Sequence, residues 1–125
     1  MKTNRTRRVS WLVVPLLIAP VTLFVAESPA NAGSRFTCPS GRFCVWTGAD
    51  FSGSRYSFND VGDYNRIHAD PIRSAFNNRG DRTYLNKGTG ASSTYSCFGP
   101  DDYDRSLTSW QVHANSAYLS TVTNC

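Results

Sequence analysis

The stretch Cys44-Val45-Trp46-Thr47-Gly48-Ala49-Asp50-Phe51-Ser52-Gly53-Ser54-Arg55-Tyr56-Ser57-Phe58 constrains the fold more than any other part of the chain. It opens and closes with apolar and polar residues in alternation, the period of a β-strand. Between its halves stand Trp46, then Phe51 five residues on, then Gly53 two after that. A chain that turns at Gly48 and folds back over itself at Phe51 lets the two aromatic rings pack face to edge and bury a large area. So tight a bend needs a residue free to take positive φ, and Gly53 is positioned to supply it. Alternation resumes at Arg55. The expectation is a hairpin folded over on itself rather than a plain one.

The first 32 residues read as a secretory signal peptide. Lys2, Arg5, Arg7 and Arg8 form a basic start, residues 11–25 are apolar and uncharged, and Ala30-Asn31-Ala32 is an A-x-A cleavage site. A membrane anchor is the competing reading, weakened by the shortness of the run, Pro15, Pro20 and the cleavage site. Cleavage before Gly33 leaves residues 33–125, one small secreted domain with a modest core and no membrane association. The formal charge of +4 belongs mostly to the leader; the remainder has nine Lys and Arg against eight Asp, a net of +1. These charges are interspersed, which gives no support for binding nucleic acid or an anionic membrane.

All four cysteines, Cys38, Cys44, Cys97 and Cys125, follow the cleavage site. An even count in a small exported chain predicts two disulfides, with three possible pairings. Cys38 and Cys44 could form a local staple, which would leave Cys97 for Cys125. Loops of 7 and 29 residues closed in this way would contribute about 2.4 and about 3.6 kcal/mol in the chain-entropy model. Longer crossed pairings score higher, so entropy does not choose between them. A zinc site is a poorer alternative, because no C-x-x-C pair exists and His68 and His113 are far apart in sequence.

Helical periodicity is nearly absent after residue 33. Segments 42–47, 54–58, 72–77, 82–86, 94–98, 109–113 and 117–122 all read as strands. Gly- and Asp-rich turns separate them, and 59–71 is a longer polar connection. This pattern predicts an all-β, antiparallel sandwich of Greek-key type.

Aromatic, four residues, aromatic, one residue, glycine resembles the folded-hairpin signature of the βγ-crystallin Greek key. In that motif a later serine caps the hairpin, and Ser74 stands at a suitable distance, giving the set Trp46, Phe51, Gly53 and Ser74. With Cys38-Pro39-Ser40-Gly41-Arg42-Phe43-Cys44 added in front and residues 74–78 behind, the chain resembles secreted actinobacterial proteins of peptidase inhibitor family thirty-six. The likeness is good over 38–85 and loose beyond, where no clean second copy of the signature occurs.

The resemblance implies a βγ-crystallin-like domain with Cys38 paired to Cys44 and Cys97 to Cys125. It implies an inhibitor of extracellular, thermolysin-like metalloproteases, expected to act as a monomer. The position matching the family's reactive bond is Cys97-Phe98, flanked by Tyr95 and Ser96 before it and Gly99 and Pro100 after it. A rigid, disulfide-anchored loop of this kind lowers the ordering cost of binding, and Phe98 supplies the bulky apolar residue such proteases favour after the cut. The competing local reading is a strand ending in a buried Phe beside a structural disulfide. The competing function is a secreted cell-envelope or stress-binding protein, or a killer-toxin-like antimicrobial, on the same fold.

No cofactor is expected. A crystallin-type calcium site would draw on Asp70-Pro71-Ile72-Arg73-Ser74-Ala75, but Pro71 and Ala75 stand where two oxygen ligands belong. Asp101-Asp102-Tyr103-Asp104 is a second calcium candidate, against which stands the commoner reading of a solvated turn. Arg79-Gly80-Asp81 spells an adhesion tripeptide, yet a turn between strands favours the same residues. An enzyme is not expected: the cysteines are expected to be oxidised, and no G-x-S-x-G, H-E-x-x-H or phosphate-cradling loop follows the leader.

Overall fold

A computed structural model describes residues 33–125 of the chain; the expected signal peptide and its cleavage site lie outside the described residues. The architecture is all-β, with eight strands: β1 (Arg42–Trp46), β2 (Arg55–Phe58), β3 (Tyr64–Arg66), β4 (Ser74–Asn78), β5 (Thr83–Asn86), β6 (Tyr95–Phe98), β7 (Tyr103–Asp104) and β8 (Ser116–Leu119). Two 3-10 turns, Arg35–Thr37 and Ser109–His113, complete it. The strands form two antiparallel four-stranded sheets, ordered β2-β1-β4-β7 and β3-β8-β5-β6.

The order records two Greek keys that exchange a strand. In the first, β4 returns to lie beside β1, with β2 on the other flank, while β3 crosses to the opposite sheet beside β8. In the second, β8 lies beside β5 with β6 on its other flank, and β7 crosses back beside β4. This connectivity is compatible with the crystallin-type key implied by the resemblance.

Alternation along β1 explains how the core is built. Phe43 and Val45 point between the sheets and join Ile72, Ala75, Leu85, Phe98, Ala117 and Leu119. Cys44 and Trp46 point the other way, into a second cluster with Cys38, Phe51 and Phe76. Residues 43–46 are therefore buried on both faces of the first sheet. The outer cluster is covered by the folded hairpin, where Trp46 and Phe51 meet edge to face, centroids 5.2 Å apart. Phe51 and Gly53 both hold positive φ, 59° and 76°. A Cβ on Gly53 would lie 2.4 Å from Thr47 Oγ1, so no other residue fits there without a shift.

Ser74 clasps this hairpin from inside the sheet. Its Oγ accepts from the Phe51 N–H at 3.0 Å and donates to the Gly48 carbonyl at 2.7 Å. The residue is fully buried. Ser74→Ala leaves a buried donor without a partner, and the expected loss is about 2–3 kcal/mol. Urea unfolding should show a lower midpoint at unchanged m-value; a shift below a few tenths of a kcal/mol would contradict the clasp.

Three expectations are corrected here. Ser109–His113 is a 3-10 turn and not a strand. The side chains that meet the core from this region are Leu107, Trp110, Val112 and Ala114, so the local alternation of apolar residues does not by itself separate a strand from a turn. Gln111 N–H donates to the Thr108 carbonyl and Ala114 N–H to the Gln111 carbonyl, closing the turn. The polar connection 59–71 contains the short edge strand β3, and the Asp-rich turn after Pro100 contains β7. Strands of three and two residues are too short to carry a legible alternation.

Candidate functional site

The segment carrying Cys97 and Phe98 is β6, an edge strand hydrogen-bonded only to β5. The register sets Thr83 opposite Phe98, Tyr84 opposite Cys97, Leu85 opposite Ser96 and Asn86 opposite Tyr95. The Lys87 N–H donates to the Thr94 carbonyl. In an antiparallel ladder, bonded and non-bonded pairs alternate. Lys87 and Thr94 therefore set the phase: Ser96 and Phe98 bond inward to β5, whereas Tyr95 and Cys97 turn their N–H and C=O to the free edge. The carbonyl of the Cys97-Phe98 peptide faces outward.

Side chains alternate as well. The Phe98 ring is buried and meets Phe43 edge to face, centroids 5.5 Å apart. Tyr95 is exposed and packs at right angles to Tyr84. Tyr95 and Ser96 lie in a strand, as the reading of 94–98 expected, and that strand is an edge, with Ser96 and Phe98 facing the sandwich while Tyr95 and Cys97 face out. Gly99 and Pro100 belong to the turn toward β7. The local reading of a strand ending in a buried Phe describes the side chain; the outward Cys97 carbonyl describes the backbone.

The strand is held at several points. Cys97 is bonded to Cys125, with Cα atoms 5.8 Å apart. Asn77 Nδ2 donates to the Phe98 and Gly99 carbonyls at 3.0 and 2.8 Å, and Gly99 N–H donates to Asp102 Oδ2 at 2.8 Å. Gln111 Nε2 donates to Ser96 Oγ at 2.9 Å. Sequence reasoning missed Asn77 and Gln111 as supports of β6. The one signal available was Asn77 itself, a residue disfavoured in strands yet standing at an inward position of β4. The other disulfide, Cys38 to Cys44, sits on the outer face of the first sheet.

The remaining candidates are dispersed. Arg79 of the Arg79-Gly80-Asp81 tripeptide is buried, its guanidinium donating to the Arg82 and Ser120 carbonyls and to Thr83 Oγ1. Burial pushes its guanidinium below the usual arginine range, opposed by Asp81. The tripeptide is a structural turn. His113 Nδ1 lies 2.6 Å from Asp70 Oδ1 at the surface, and His68 is exposed in a connection. Asp102 and Asp104 accept from the Gly99 and Ser106 N–H groups. Among the described residues, no three His, Cys, Asp or Glu side chains are grouped to hold a metal ion. On the first sheet, hydrogen bonding from Arg35, then the charges of Arg35 and Arg105, hold the Tyr103 phenol below its usual range. Among the described residues, no helix is long and apolar enough to cross a membrane.

A sequence model of peptidase inhibitor family I36 matches residues 31–98, more than half of the chain. The match ends on Phe98, so the C-terminal part with Cys125 lies beyond it. No curated protein and no solved structure matches the chain.

Proposed function

From the chain's membership of peptidase inhibitor family I36, we propose that it is a secreted, non-enzymatic inhibitor of an extracellular, thermolysin-like metalloprotease, presenting the Cys97-Phe98 bond along the free edge of β6. The observation that carries this reading is the outward Cys97 carbonyl beside the Cys97–Cys125 disulfide. A protease binds its substrate as an extended strand, and an exposed sheet edge offers that shape with its backbone groups free. The disulfide, Asn77 and Gln111 hold the strand before binding, which reduces the ordering cost. Because Cys125 stays bonded to Cys97, a cut at the next peptide leaves the two ends tethered, and the bond can re-form.

The buried Phe98 ring modifies this picture. Entry of Phe98 into a protease pocket requires β6 to release the ring from Phe43 while the backbone stays docked. Slow cleavage follows from that requirement. Two disulfides fit an oxidising, extracellular setting.

Titration of a thermolysin-like protease with the oxidised chain 33–125 tests the reading. The expected result is stoichiometric loss of activity with slow nicking at Cys97-Phe98, read by mass spectrometry. Inhibition with amide protection on another surface would remove β6 as the site. A folded, fully oxidised protein that leaves activity untouched would remove this protease class.

A further inference from the structure

The outer faces of the two sheets are built on the same plan and finished differently. Trp46 stands opposite Ser74 in the first sheet as Asn86 stands opposite Ser116 in the second. Ser74 Oγ donates to the Gly48 carbonyl at 2.7 Å, and Ser116 Oγ donates to the Gly88 carbonyl at 2.7 Å. Three residues beyond each glycine stand Phe51 and Ala91. By this correspondence the Trp46 and Phe51 pair of the first motif is replaced in the second by Asn86 and Ala91. The two rings that fill and cover the first face have no counterpart on the second.

A groove of about 370 Å³ lies there, lined by Tyr64, Tyr84, Asn86, Ala91, Ser92, Tyr95 and Tyr118. The four tyrosines come from four adjacent strands. Tyr64 and Tyr118 lie with centroids 4.8 Å apart, Tyr118 and Tyr84 6.4 Å, both at shallow angles, and Tyr95 stands perpendicular to Tyr84 at 5.2 Å. Three rings run across the sheet, each tilted 30–40° from the next, with the fourth perpendicular to Tyr84 at one end. Among the described residues, none of the four phenol hydroxyls makes a hydrogen bond to protein.

Asn86 narrows the chemistry of the occupant. It lines the groove yet is only 4 % exposed. Its Nδ2 donates to the Tyr84 carbonyl at 3.1 Å, and its Oδ1 accepts from no protein donor among the described residues. An occupant that covered this oxygen without donating to it would impose an unmet desolvation cost. A hydrocarbon or aromatic ring would do that; a hydroxyl would not. The lining residues are all uncharged, and the nearby Arg82 guanidinium is stacked on the Tyr84 ring, 5.0 Å from its centroid. A pyranose combines an apolar C–H face, which packs on aromatic rings, with a rim of neutral hydroxyls that can serve both Asn86 and the phenols.

We propose that this groove is a binding site for a short neutral oligosaccharide, an activity separate from peptidase inhibition. The probes are cellotetraose and chitotetraose, titrated into the oxidised chain 33–125 by calorimetry and by nuclear magnetic resonance. The expected result is saturable binding of at least one of them with Kd below about 1 mM and perturbed Tyr84, Tyr95 and Tyr118 resonances. The variant carrying Asn86→Trp and Ala91→Phe restores the filling of the first motif and should weaken binding at least tenfold, with the native strand signals retained. Tyr95→Ala, on the exposed wall, should weaken it about tenfold. Absence of saturation for both sugars would overturn the proposal, as would binding indifferent to both variants. Occupation of the groove by an uncharged aromatic peptide in place of either sugar would also overturn it.

Discussion

Replacement of both Cys97 and Cys125 by serine is expected to lower the unfolding free energy by about 3–4 kcal/mol. The disulfide spans a sequence separation of 28, and the loop it closes includes β7, the Ser109–His113 turn and β8. Its loss frees the C-terminal residues and loosens β6 at the position opposite Tyr84. The corresponding change at Cys38 and Cys44, with a separation of 6, should cost about 2.4 kcal/mol. Urea unfolding of the two double variants, under identical oxidising conditions, gives the comparison; equal losses would contradict the loop-length account. On the inhibitory reading the first variant is also a substrate, because a cut after residue 97 no longer leaves its ends tethered. Its digestion should proceed with protease concentration rather than stop at one equivalent.

Phe98→Ala is expected to destabilise the fold by about 3–5 kcal/mol, the range for removing a buried ring. Phe98 is 6 % exposed and seated against Phe43, so the cavity opens between the sheets. Phe98→Leu keeps most of the volume and should cost less than about 1.5 kcal/mol. Thermal and urea unfolding decide the stability part: similar losses for Ala and Leu would show that the ring is not seated in the core. The pair also separates folding from recognition. Leu keeps an apolar residue after the proposed reactive bond, so inhibition by Phe98→Leu should persist. Loss of inhibition in Phe98→Leu with the fold intact would mean that the ring itself is recognised. Loss in Phe98→Ala or Phe98→Gly alone carries no such meaning unless folding is measured beside it.

The parts of the fold legible in the sequence are those whose cause is local. The folded hairpin shows itself because Trp46, Phe51 and Gly53 lie within eight residues and the bend demands that spacing. The strands of five and four residues show themselves by alternation. β3 and β7 do not, since their pairing partners, β8 and β4, are supplied by the other key. The 3-10 turn at Ser109–His113 was hidden because Trp110, Val112 and their polar neighbours also read as alternation over five residues. What distinguishes it is the i to i+3 bonding of Gln111 to Thr108 and of Ala114 to Gln111, which alternation does not show.

The site divides along the same line. Cys97 and Phe98 were found through resemblance, and the strand they occupy could be read from Thr94 onward. Which way the Cys97 carbonyl faces could not, because it depends on the phase of pairing with β5, set by Lys87 and Thr94. Asn77 supports β6 from 21 residues away and Gln111 from 15, distances at which single-sequence patterns are silent. The tyrosine groove was equally hidden. Each tyrosine reads alone as an ordinary strand residue, and only the register brings the four together.

The exchange of β3 and β7 between the sheets gives the molecule no severable half. Each sheet is completed by a strand from the other key, so neither key alone can satisfy the backbone of its own sheet. A single cooperative unfolding transition is the expectation, checked by coincident urea midpoints from fluorescence and circular dichroism. The last strand, β8, sits between β3 and β5, at the interior of its sheet rather than its margin. Removing β8 would leave β3 without a pairing partner and part it from β5.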